Sequence, residues 1–100
     1  MAFEIPLYRF RKDVSFEDAK RAALSLNDFL RTAPGFKARS TYYDDKSNVW
    51  IDVVEWETME QALQALEDFP KSPCFAAFIE LADPDFNHMH HGHLIQTFTA

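Results

Sequence analysis

Cysteine is almost missing from this chain: Cys74 stands alone, so no disulfide can close within it. With no Cys or His beside it in sequence, Cys74 reads as a small apolar helix residue. Positive charge is scarce as well. Ten Lys and Arg face sixteen Asp and Glu, for a formal net charge of −6. That sign argues against phosphate-backbone binding, which needs a basic footprint, and against adsorption to an acidic membrane surface. No apolar run approaches ~18 residues, so no transmembrane helix is expected, and the N-terminus is not signal-like. These absences give the expectation of a cytoplasmic protein with neither a membrane nor a nucleic-acid partner. Repeats, linkers and low-complexity stretches are also lacking, so residues 1–100 read as one domain.

What the chain does have is apolar and aromatic matter, 47% hydrophobic with ten Phe. A chain of this length buries at most about two thirds of its unfolded surface, so a thin two-layer domain gains from covering one face with a partner. Phe3 to Arg11 reads as a strand, with Phe3, Ile5 and Leu7 on one side and Tyr8 and Phe10 on the other. Pro6 cannot donate to a ladder and predicts a bulge or an unpaired position. Ser15, with Asp18 three residues on, predicts an N-cap for an amphipathic helix of about four turns carrying Phe16, Ala19, Ala23, Leu26 and Leu30. Ala33-Pro34-Gly35 stops it.

Phe36 to Tyr43 and Val49 to Glu57 then alternate as strands around the polar turn Asp44-Asp45-Lys46-Ser47-Asn48, a hairpin. Val49, Ile51 and Val53 share one face; Trp50, Val54 and Trp56 share the other, with Asp52 among them. Thr58 with Gln61 is a second capping-box candidate, opening a helix striped with Met59, Ala62, Leu63 and Leu66. Ser72-Pro73 starts a further short helix. Asp83-Pro84-Asp85 reads as its breaker, and His88 to Phe98 as the last strand. The order β-α-β-β-α-(α)-β predicts an α+β, ferredoxin-like βαββαβ fold: a four-stranded antiparallel sheet with helices on one face. The other face, apolar in its strands, predicts a homodimer through sheet faces.

Pro34-Gly35-Phe36, the hairpin, Glu55-Trp56-Glu57-Thr58 and Ser72-Pro73-Cys74-Phe75 together resemble the antibiotic biosynthesis monooxygenase-like domains of the dimeric α+β barrel superfamily. The resemblance spans most of the chain. It implies a ligand cavity between helices and sheet in each protomer. It also implies a choice among cofactor-free oxygenases of aromatic polyketides, quinol oxygenases, haem-degrading enzymes and proteins without an assigned reaction. The haem-degrading branch uses a helical His as iron ligand. The corresponding helix here, Pro73 to Glu80, has none, and Ala65 and Leu66 stand where that branch has a bulky Trp. Haem degradation is therefore not expected, and no cofactor is called for.

All four histidines fall in His88-Met89-His90-His91-Gly92-His93. In a strand, His88 and His90 share one face and His91 and His93 the other, with residues two apart about 6.5–7 Å from each other. Either pair supplies two metal ligands, where zinc wants three or four. Solvated or hydrogen-bonded histidines are the plain alternative. The third reading makes His91 or His93 a general base, since imidazole titrates near neutrality and suits proton abstraction from a phenol or a carbon acid. Phe36, Trp50, Trp56, Phe75 and Phe78, with Tyr42, are candidates for a pocket wall, against the alternative of simple core packing. Arg39 and Asp52 lie within strands, where charges need partners, and are expected to pair across the hairpin or across a dimer. The function these readings favour is a cofactor-independent, monooxygenase-like protein acting on a small aromatic, phenol- or quinol-type molecule. The alternatives are a non-catalytic dimeric module binding a small apolar ligand, and a metal-binding protein using His88 and His90. An RNA-binding domain of the same strand order fails on charge and lacks the basic-aromatic strand signature.

Overall fold

A computed structural model describes residues 1–100. Four strands and four helices follow one another as β1 (Ala2–Phe10), α1 (Phe16–Ser25), α2 (Asn27–Arg31), β2 (Phe36–Asp44), β3 (Val49–Trp56), α3 (Met59–Asp68), α4 (Pro73–Leu81) and β4 (Ala82–His93). A 3-10 turn, Phe69–Lys71, joins α3 to α4. The strands form one antiparallel sheet in the order β2-β3-β1-β4, with the first and last strands of the chain side by side. This is the ferredoxin-like α+β architecture expected from the sequence, with the helices on one face. No helix is long and apolar enough to cross a membrane.

Local chemistry accounts for the element ends. Ser15 Oγ accepts from the Asp18 N–H at 3.1 Å and Thr58 Oγ1 accepts from the Gln61 N–H at 3.1 Å, so both N-caps form. Only half of the second capping box exists: Gln61 Oε1 is buried without a hydrogen-bond partner. Gly35 adopts φ +83°, and a Cβ there would collide with the Gln61 side chain. In the hairpin, Asp44 accepts from Lys46 N and Ser47 Oγ, and Asn48 takes the left-handed conformation at φ 59°.

Three expectations need correction. The long first helix is two helices, broken at Leu26, where Ser25 Oγ donates to the Ala22 carbonyl and the Asn27 side chain is drawn to Arg39. The last strand begins at Ala82, not His88, and ends at His93, so Leu94 to Ala100 have no regular structure. Asp83-Pro84-Asp85 does not break the chain because it lies where the β1–β4 register shifts, between Tyr8 and Phe10, and an edge strand tolerates a proline there. Pro6 is the locally unpaired position expected of it: the β1–β3 ladder skips Ile5 and Pro6 and resumes in the same register at Leu7, without a bulge.

Packing is large rings on strands against alanines on helices. Trp56, Val54 and Ala2 meet Leu30, Ala62 and Ala65 in one cluster; Tyr8 and Trp50 meet Ala19 and Ala23 in the other. The opposite sheet face carries Phe3, Ile5 and Leu7 of β1 with Val49, Ile51 and Val53 of β3, and no helix covers it. On β2 that face turns polar, with Ser40, Tyr42 and Asp44.

The expected pairing of Arg39 with Asp52 is within the chain. Arg39 donates to Asp52 Oδ2 from Nε at 3.1 Å and from Nη2 at 2.7 Å, with both side chains only 4% exposed. Removing one partner of such a pair strands the other charge. We expect Asp52→Ala to lose about 3–5 kcal/mol of stability in urea unfolding. The double variant Arg39→Met/Asp52→Leu should recover most of that loss, because no buried charge is left alone.

Candidate active site

A cavity of about 540 Å³ lies between the sheet and the helices, within the range that small organic ligands occupy. Its floor is the helix-facing side of the sheet: Glu4, Pro6 and Tyr8 from β1, Arg39 from β2, Asp52, Val54 and Trp56 from β3, and Met89 from β4. Its roof is apolar. Leu26, Phe29 and Leu30 come from the α2 segment, Ala65 and Leu66 from α3, and Phe75, Phe78 and Ile79 from α4. Arg11 and Asp83 add the remaining charged side chains of the wall.

The floor carries two polar stations. The first is Arg39–Asp52–Tyr8. Beyond its bonds to Asp52, Arg39 donates from Nη1 to the Ala23 carbonyl and Asn27 Oδ1, each at 2.9 Å, and from Nη2 to the Tyr8 hydroxyl at 3.2 Å. All five guanidinium donors are thus engaged. Tyr8 donates in turn to the Asp52 carboxylate at 3.2 Å. Burial, and then the Asp52 charge, push the Tyr8 phenol well above its ordinary value, against a smaller opposing pull from Arg39. This station is a closed structural network with no spare guanidinium donor.

The second station is Glu4 and His91, paired in register on neighbouring strands. Glu4 Oε2 and His91 Nε2 are 3.0 Å apart. Burial raises the Glu4 carboxyl above its ordinary value; the hydrogen bond and charge of His91 pull the other way but do not cancel it. Trp56, fully buried on the same floor, has an indole N–H without a hydrogen-bond partner, which also favours the Glu4 carboxylate.

The residues singled out by sequence separate accordingly. Trp56, Phe75 and Phe78 line the cavity. Phe36 and Trp50 do not: Phe36 packs edge-on behind Trp56 at 5.9 Å, and Trp50 is held among Tyr8, Phe16 and Tyr43. Tyr42 is exposed on the outer face. His91 meets the cavity only through Glu4. His93 shares its face but lies opposite Ala2 at the open end of the strand, exposed. His88 and His90 point to the outer face, with His88 against Phe86 at 4.8 Å between ring centroids, and no group of three or more His, Cys, Asp or Glu is placed to hold a metal ion. Glu4 escaped the sequence reading. An acidic residue on the aromatic face of a strand otherwise apolar on both sides was the available signal.

No protein-family model and no curated protein sequence matches the chain. Solved structures do match along nearly its whole length. One is SnoaB, a cofactor-independent oxygenase from Streptomyces nogalater, at a TM-score of 0.76 and 15% identity, covering 99% of this chain and 97% of that one. Another is a monooxygenase from the gene ActVA-Orf6 of Streptomyces coelicolor in complex with Nanaomycin D, at 0.75 and 10%, covering 99% and 91%. A third is a dimeric ferredoxin-like protein of unknown function from Thermobifida fusca, at 0.70 and 14%, covering 93% and 90%. At such identities the likeness shows a shared fold, the one the sequence resemblance implied.

The raised Glu4 carboxyl has a stability consequence. The folded state holds the Glu4 proton more tightly than the unfolded chain, so this contribution is complete below the ordinary value of 4.5 and is lost as pH rises through the folded value. Glu4→Gln removes the titration. Thermal melts of the two proteins from pH 4.5 to 7.5 should therefore show the variant gaining on the wild type as pH rises.

Proposed function

We propose that this chain is a cofactor-independent, monooxygenase-like enzyme that takes a small aromatic, phenol- or quinol-type molecule into the cavity between its helices and sheet. The observation that carries the reading is the cavity itself: room for a small molecule, an apolar and aromatic roof, and a carboxylate on its floor that is hydrogen-bonded to an imidazole behind the wall. The oxygenase described for SnoaB and the ligand-bound monooxygenase share this fold and support it.

Cofactor-free oxygenation asks little of a protein beyond what such a cavity supplies. The substrate loses a proton, and the electron-rich anion reduces O2 directly. One oxygen atom is retained on carbon, turning a phenol into a quinone, and the other leaves as water. All four electrons come from the substrate. The apolar roof excludes water and fixes the ring. Of the two histidines expected from sequence as base, His91 stands one hydrogen bond behind the wall and His93 lies at the exposed end of the strand.

The active form is proposed as a homodimer through the outer sheet face. Phe3, Ile5, Leu7, Ile51 and Val53 form an apolar, half-exposed sheet face that no helix covers, and one structure of this fold is described as dimeric. Ile51→Lys should convert a dimer to a monomer in sedimentation velocity at micromolar concentration. A wild type that sediments as a monomer there refutes the interface.

Turnover is tested by O2 uptake with naphthol, dihydroxynaphthalene and anthrone probes, on protein treated with chelator. Chelator-resistant consumption of one O2 per quinone formed, abolished by heat denaturation, is expected. Tight binding of these probes with no O2 uptake would favour a non-catalytic ligand-binding module.

A further inference from the structure

We propose that Glu4 is the group that takes the substrate proton, and that His91 passes it from the cavity wall to solvent along the edge strand. This rests on the reading of the cavity as an enzyme site. Glu4 is on the cavity wall and His91 is not, so only the carboxylate can touch a bound phenol. The pair spans the boundary of the protein: the Glu4 side chain is 10% exposed and His91 18%. β4 is the sheet edge, with β1 as its only neighbour, so water reaches the imidazole from the open side.

The 3.0 Å bond between Oε2 and Nε2 serves both proton positions. With Glu4 ionised, His91 donates; with Glu4 protonated, the carboxyl donates to a neutral imidazole. In the step itself the substrate O–H breaks and a Glu4 O–H forms. Exchange with water moves the His91 hydrogen from Nε2 to Nδ1, so that Nε2 accepts the Glu4 proton while Nδ1 releases one to water, restoring the carboxylate. One proton leaves the substrate and one reaches solvent, with no change in oxidation state. The other charged groups facing Glu4 do not compete. Asp52 on β3 is neutralised by Arg39 from β2, Arg11 bonds to Asp13, Asp83 caps its own turn at Asp85 N, and the roof helices present no charged side chain to the cavity. Burial raises the Glu4 carboxyl above its ordinary value, which makes the carboxylate a stronger proton acceptor.

The test is calorimetric and kinetic. Binding of 2-naphthol is measured by titration calorimetry in buffers of different ionisation enthalpy. The wild type should show a heat that varies with buffer, as proton exchange requires, and Glu4→Gln a heat that does not. With the oxidisable probes, Glu4→Gln should lower kcat by about 100-fold or more with KM little changed. His91→Ala should lower kcat and be rescued by added imidazole in a pH-dependent way, which a purely structural loss would not show. A Glu4→Gln protein that keeps the proton exchange or the turnover of the wild type overturns the assignment and leaves the oxygenase reading standing. Buffer-dependent binding lost in Glu4→Gln, with no O2 uptake by the wild type, keeps the proton pair and overturns the oxygenase. Absence of any 2-naphthol binding overturns both.

Discussion

Three of the four strands and the junction of the first two helices are tied to the buried guanidinium of Arg39. It reaches Asp52 across the hairpin, Tyr8 on β1, the Ala23 carbonyl near the end of α1, and Asn27 at the start of α2. One side chain thereby sets the spacing of three strands and anchors the break between two helices. Its fork of donors has a fixed geometry, and all of it is used. A buried charge of this kind contributes little net stability over an apolar replacement, but it discriminates strongly against arrangements that leave it unpaired. It also empties the cavity of a free cation. What remains on the floor outside that network is Glu4, with His91 bonded behind it.

The cavity follows from the same packing. Trp50 and Trp56 are large, and the helices answer them with Ala19, Ala23, Ala62 and Ala65, so α1 and α3 settle close to the sheet at its two ends. α4 carries Phe75, Phe78 and Ile79 but buries none of its residues fully. It rests on the two clusters as a lid rests on two walls, and the space beneath it stays open. Phe78 stacks edge-on against Tyr8 and Phe69, which holds the lid in place without filling the gap.

Much of this was legible in the residues. Period-two alternation in Val49–Trp56 assigned both faces of β3 correctly, and Ser15 and Thr58 marked helix starts because a hydroxyl before an apolar stripe has one good use there. The break at Leu26 was hidden because the apolar rhythm runs on through it; what interrupts the helix is the distant claim of Arg39 on Asn27 and the Ala23 carbonyl. The start of β4 was hidden because a proline between two acids normally ends structure, and only its place at a register shift on an edge strand excuses it. The proton pair was half visible: His91 stood out by composition, whereas Glu4 acquires its role from register alone.

Glu4 and His91 are separated by 87 positions in sequence and belong to the first and last strands. Their meeting is therefore among the costliest loop closures in the chain, and contacts of such separation slow folding. The hairpin and the Arg39 network need nothing beyond β3. The Glu4–His91 pair waits for β4 to emerge, so a nascent chain can carry its hairpin and ion pair, yet no carboxylate–imidazole contact, until the histidine strand docks beside β1.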